Sequence, residues 1–213
     1  RIPIAIMRPA ILTEVHPRVV LISHGYNENR PGTYLLFSGI AKGLSDAGFV
    51  VVSVQHELPT DELLPMKGDL LTARRPNWDR GVQNLHVVIR VLRDREPTWT
   101  LDAVDLIGHS NGGDITMLYA VLHPNEVRTA ISLDNRRMPL PRTASPRIVS
   151  LRADDVPADP GVIPSEEEQR AFGVQVIPMA GFKHTDLNDR ATLEQRDVLV
   201  RVLLQALLGG VDR

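Results

Sequence analysis

The chain of 213 residues is 43% hydrophobic and 23% charged, an ordinary globular composition that excludes disordered and fibrous classes. Lys and Arg number 24 against 26 Asp and Glu, a net charge of −2, which leaves no basic footprint for nucleic acid and no polybasic pull toward an anionic membrane. Cysteine is absent, so disulfides, thiolate metal sites and a cysteine nucleophile are excluded.

No apolar run approaches the roughly 18 residues that a membrane span needs. The chain opens on Arg1 rather than Met, which leaves a trimmed upstream segment open, a signal peptide included. The expectation is a soluble protein, cytoplasmic or exported, with its oligomeric state undetermined. The whole of 1–213 reads as one domain.

Residues 1–7 alternate as an edge strand does, with Pro3 tolerable there. Residues 19–23 form a continuous apolar run ending at His24-Gly25, a buried strand. Residues 34–47 have helical content and stop at Gly48. Residues 49–54 are again a β-branched strand. Over 79–95, Val82, Leu85, Ile89 and Leu92 fall on one face of an amphipathic helix.

Residues 104–107 predict the next strand. Helix 112–122 follows, with Ile115, Leu118, Tyr119 and Leu122 on one face. Strands are expected at 129–133, 147–151 and 174–178. Glu166-Glu167-Glu168 reads as a solvated helix start behind Ser165, an N-cap residue. A last helix, 191–208, stacks Leu199, Val202, Leu203, Ala206 and Leu207 and stops at Gly209-Gly210. Two Pro- and acid-rich stretches, 57–76 and 154–168, read as long loops, which in a compact domain are more often functional than idle. Buried runs separated by helices predict a mostly parallel, twisted α/β sheet of about seven strands with helices on both faces.

Gly108-His109-Ser110-Asn111-Gly112 fits G-x-S-x-G. The bare pattern is weak alone, since Gly and Ser are common. Its setting is specific, because it follows strand 104–107 directly and opens the next helix, as a nucleophile elbow does. The turn is sharp, so a Cβ at either glycine would crowd the neighbouring chain. Ser110 at the tip exposes its hydroxyl, and the helix N-terminus behind it faces developing negative charge.

A serine hydroxyl needs a base, which in this motif comes later in the chain. Only His123 and His184 follow Ser110. His123 ends the elbow helix before Pro124 and reads as a capping group. His184, in the loop after the last strand, is the expected base. The acid that orients it lies at the end of one of two strands, as Asp134 or as Asp155, and spacing does not choose between them. The N–H of Asn111 and, from the Ser23-His24-Gly25-Tyr26 loop, that of Tyr26 are the expected oxyanion donors. His24 itself reads as a packed, hydrogen-bonded side chain.

With these motifs the chain resembles the α/β-hydrolase superfamily and, within it, the platelet-activating factor acetylhydrolase group. The resemblance rests on Ser23-His24-Gly25, Val54-Gln55-His56-Glu57, residues 108–113, Ile131-Ser132-Leu133-Asp134, Met138-Pro139-Leu140 and His184. It places the triad acid after strand 129–133, on Asp134. Arg136 and Arg137 depart from the bulky apolar residues of that group, and Asn111 replaces an aromatic, which counts against a phospholipid substrate. Dienelactone hydrolases are similar in scale but use a cysteine nucleophile.

Residues 135–147, between two strands, are too few for a helical cap, so no lid domain and an open site are expected. Leu58, Leu63, Leu64, Met66, Leu70 and Leu71 read either as an acyl-binding wall or as a plug of the core. No metal-ligand spacing and no phosphate-binding glycine motif is found, so neither metal nor cofactor is expected. These residues predict a serine esterase acting on a small-molecule, short-acyl ester. Two alternatives are an acyltransferase or cofactor-free perhydrolase with the same triad, and a binding protein of the same fold without chemistry.

Overall fold

The computed structural model describes residues 1–11 and 14–209. One sheet has seven strands: β1 (Ile4–Met7), β2 (Arg18–Ser23), β3 (Val50–Val54), β4 (Thr100–His109), β5 (Val127–Leu133), β6 (Arg147–Arg152) and β7 (Gln175–Pro178). They lie in the order β1-β3-β2-β4-β5-β6-β7. β1 pairs antiparallel with β3, and every other neighbouring pair is parallel. The helices are α1 (Ser38–Asp46), α2 (Leu70–Ala73), α3 (Arg75–Arg95), α4 (Asn111–Leu122), α5 (Glu166–Phe172) and α6 (Leu193–Leu208).

Side chains alternate across a strand, so each central strand feeds two cores. Val19, Leu21, Val52 and Leu106 pack with Trp78, Leu85 and Ile89 of α3 and Ile115 and Tyr119 of α4. Val20, Ile22, Val51 and Ile107 pack with Ile40 and Leu44 of α1 and Leu199 and Leu203 of α6. With both faces covered, the central strands carry apolar runs rather than a strict alternation, as at 19–22 and 50–52.

Several boundaries differ from expectation. The predicted helix 34–47 divides into a 3-10 turn, Thr33–Phe37, and α1, with Gly48 left-handed at φ 98° behind it. α3 starts at Arg75 rather than 79, because Pro76 in its first turn lacks only an N–H that would have no partner there. α2, capped by the Asp69 side chain, precedes it and shortens the predicted loop. β4 runs on to His109, so strand and turn meet without slack. Ser165 and Glu168 close a capping box on α5. The final helix ends at Gly209, and Gly210 of the predicted stop lies outside the described residues. Residues 134–146, between β5 and β6, contain no helix and hence no lid. Among the described residues no helix is long and apolar enough to cross a membrane.

The sheet order positions the site. From β2 the chain moves to β3 on one side, whereas from β4 it moves to β5 on the other. Loops that leave adjacent strands in opposite directions open a crevice at the carboxyl ends of β2 and β4. The 24–26 loop and Ser110 stand at those two ends.

Candidate active site

Ser110 joins β4 to α4 at φ 52° and ψ −119°, a conformation that costs a non-glycine residue on the order of 1–3 kcal/mol. It is held there on both sides. Its N–H donates to the Leu133 carbonyl at 2.9 Å, and its carbonyl accepts from Asp114 N–H at 3.0 Å. A Cβ on Gly108 would strike the Gly112 carbonyl, and one on Gly112 would strike the carbonyls of Ser23 and His24. The two glycines therefore let β4, α4 and the end of β2 close on one another.

His184 opens a 3-10 turn after β7 and places Nε2 3.0 Å from Ser110 Oγ and Nδ1 2.6 Å from Asp134 Oδ2. Asp134 ends β5 in a left-handed conformation and is fully buried. Burial alone would raise its pKa. The hydrogen bond from His184 and the Arg152 and Arg136 guanidiniums outweigh that and hold it below the ordinary carboxylate value. Arg152 lies 2.9 Å from Oδ1 and Arg136 3.3 Å from Oδ2. An ionised Asp134 keeps the proton on Nδ1, leaving Nε2 to accept from the Ser110 hydroxyl.

Asp155 does not reach the imidazole nitrogens. Its Oδ1 accepts the main-chain N–H of His184 at 2.8 Å, while Asp154 Oδ2 accepts that of Gly181 at 2.6 Å. Both carboxylates thus anchor the loop that carries His184. His123 caps α4 and packs on Tyr119, at the far end of a helix that rises about 18 Å from Ser110. His24 donates from Nδ1 to the Gly25 carbonyl at 2.8 Å and accepts His56 N–H on Nε2 at 3.0 Å.

The Asn111 N–H is the first of α4 and has no acceptor within the helix. Tyr26 and Asn111 border the same hollow as Ser110 and His184. The Asn111 side chain points into the protein, where Oδ1 accepts Trp78 Nε1–H at 2.8 Å and Nδ2 donates to Glu57 and Asn77 at 3.1 and 2.9 Å. The buried pair Glu57 and Asn77 was not foreseen. Its one sequence signal was Glu57 itself, an acid directly after an apolar strand.

His109 was also missed, although it is the variable residue before Ser110 in the G-x-S-x-G motif. Its Nε2–H donates to the His184 carbonyl at 2.9 Å, and burial, then the neighbouring His184, lower its pKa to about 3. It stays neutral and holds the main chain of His184 from behind.

Two hollows meet at Tyr26, Ser110 and His184. One, about 120 Å³, is walled by Phe37, Leu36 and Thr33. The other, about 220 Å³, is walled by Leu64, Met66 and three arginines, Arg74, Arg136 and Arg137. Of the six apolar residues considered for an acyl wall, only Leu64 and Met66 line it, and Leu63 and Leu71 face solvent.

No protein-family model matches the chain. A serine hydrolase homologue from Coxiella burnetii superposes with a TM-score of 0.62 at 19% identity, over 95% of this chain and 91% of that one. This is the α/β-hydrolase fold. A lidless α/β serine hydrolase from Xanthomonas campestris shares it at 16% identity and a TM-score of 0.59, over 99% of this chain and 88% of that one. In sequence, 126 residues are 28% identical to a probable 1-alkyl-2-acetylglycerophosphocholine esterase from Arthroderma benhamiae, covering 54% of this chain. The match spans 30% of that esterase's length. Within the α/β-hydrolase fold, Ser110, His184 and Asp134 stand at three separate strand ends, after β4, β7 and β5.

The fold also gathers a trio that chain spacing did not reveal. His86, His123 and Glu126 have ligand atoms within 4.8 Å of one another. Glu126 already lies 3.4 Å from Arg93 and 3.3 Å from the Tyr119 hydroxyl.

Proposed function

We propose that this chain is a serine esterase acting on small, short-acyl carboxylic esters. Ser110 is its nucleophile, His184 its general base and Asp134 the acid that orients the base. The N–H groups of Asn111 and Tyr26 hold the oxyanion. The observation that carries this reading is the pair of hydrogen bonds in series, 3.0 Å from Ser110 to His184 and 2.6 Å from His184 to Asp134, on a strained strand-to-helix turn. The partial likeness to a probable 1-alkyl-2-acetylglycerophosphocholine esterase points the same way.

Ser110 Oγ attacks the carbonyl carbon while His184 Nε2 takes its proton. The C–O bond to the alcohol then breaks, and the same nitrogen returns the proton to the departing oxygen. Water repeats both steps on the acyl-Ser110 ester and releases the carboxylic acid. The developing oxyanion charge favours donors fixed beforehand, and losing one typically costs about 3–4 kcal/mol of barrier. Lacking a lid between β5 and β6, the site admits water and small esters directly.

A fluorophosphonate followed by intact-mass measurement tests the reading. One adduct is expected on the wild type and none on Ser110→Ala. An unmodified wild type overturns it. Esters graded by acyl length should then peak at short acyl chains.

A further inference from the structure

The hollow of about 220 Å³ beside Ser110 carries more positive charge than the chemistry of the triad requires. Arg74, Arg136 and Arg137 line it, with Asp114 as its one acidic lining residue. Arg74 is 7% exposed, and its donors meet only the Pro65 carbonyl and the Met66 sulfur. Among the described residues no carboxylate lies within ion-pair distance of it. Arg136 reaches Asp134 through Nη2 at 3.3 Å, yet its buried Nε has no partner. Arg137 Nε lies 3.3 Å from Asp159 but is likewise buried without a hydrogen bond. Three guanidiniums with unused donors are costly to hold together in a partly desolvated wall unless an anion joins them.

We propose that this hollow is an anion subsite, and that the substrate ester carries a carboxylate or phosphate group which Arg74 and Arg137 bind while Ser110 attacks the ester carbonyl. This rests on the esterase reading and extends it to substrate class. Arg136 is shared with Asp134, so it couples the subsite to the acid of the triad. Burial, then the nearby Arg137, depress the Arg74 pKa, as expected of two cations held close together. Burial raises Asp114 to about 6 even though it accepts N–H groups from Met138 and Arg137, so three guanidiniums face a single carboxylate in the hollow. A zwitterionic head group fits less well, because its cation would sit beside three others. Guanidinium forks are suited to both carboxylate and phosphate, so the subsite chemistry is the same for either.

Two matched pairs of esters distinguish the sources. 4-Nitrophenyl hydrogen glutarate against 4-nitrophenyl pentanoate places the anion on the acyl chain. 1-Acetylglycerol 3-phosphate against 1-acetylglycerol places it on the alcohol. In at least one pair the wild type should favour the anionic ester by about tenfold or more in kcat/KM, chiefly through KM, and lose that preference in high salt. Arg137→Gln should abolish the preference, bringing the anionic-to-neutral ratio of kcat/KM to near one, and Arg74→Gln should act likewise if it folds. Ratios near one in both pairs, or a preference unchanged in Arg137→Gln, overturn the proposal.

If no ester is cleaved and Ser110 takes no fluorophosphonate, the esterase reading fails separately. The subsite is then decided by calorimetric titration of Ser110→Ala with glutarate and with inorganic phosphate. Binding that Arg137→Gln removes supports it. No binding overturns it.

Discussion

Asp134 and Asp155 both reach His184, but at different atoms, and that difference is measurable. Asp134 meets the ring and Asp155 the main-chain N–H. Asp134→Asn is expected to lower kcat by about 10⁴, whereas Asp155→Asn, which only loosens a loop, should cost about tenfold. Stopped assays on a short-acyl ester compare the two. Because the folded pKa of Asp134 is depressed, its stabilisation is present above the unfolded value near 4 and is lost as pH falls further. Asp114 behaves oppositely. Burial raises its folded pKa to about 6, so the folded state holds a proton that the unfolded chain releases above about 4. Its contribution is complete below pH 4 and declines up to pH 6, by on the order of 3 kcal/mol. Asp114→Asn should remove that decline, so urea unfolding at pH 4 and pH 7 should differ less in the variant than in the wild type.

The β4–Ser110–α4 turn stores strain that its neighbours pin in place. A glycine at 110 can take φ 52° at little cost, whereas alanine cannot. Ser110→Gly should therefore be more stable than Ser110→Ala by about 1 kcal/mol, with both inactive, as read from urea midpoints. Gly108→Ala should have the opposite effect, because its Cβ meets the main chain of α4 rather than a side chain able to move aside. The N-terminus of α6 depends on a gentler device. Thr192 accepts Gln195 N–H at 3.2 Å, and Thr192→Ala should cost about 1 kcal/mol in thermal unfolding without changing activity.

Across the molecule, one core is continuous with the site. Trp78 is fully buried among β-sheet and α4 side chains, and its N–H meets the side chain of Asn111, next to Ser110. Trp78→Phe keeps most of the packing but leaves the Asn111 Oδ1 without a donor inside the protein. It should destabilise by about 1–3 kcal/mol and lower kcat as well, whereas an ordinary core deletion lowers stability alone. Paired unfolding and kinetic measurements separate the two effects.

The α/β layering was legible in the sequence because both faces of the sheet are covered, so the central strands carry short apolar runs, as at 19–22 and 50–52. Ser110 was legible because a strained strand-to-helix turn demands glycines at fixed offsets. The meeting of His184 with Ser110 was legible by elimination, since only two histidines follow Ser110 and the other caps a helix. Helix starts were less so. Pro76 looked like a loop residue, although a first helical turn accommodates it.

The choice between Asp134 and Asp155 follows strand 129–133 only by resemblance, and spacing along the chain left it open. Both sit just past a strand end, and which one faces the imidazole depends on how β5, β6 and the β7 loop align side by side. The same holds for Glu57 against Asn111 and for Arg74 against Arg137. Local sequence specifies what each segment becomes, because propensity, caps and periodicity act over a few residues. Which charges meet is decided only when distant segments pack, since burial, and with it the strength of every charge, exists only in the closed fold.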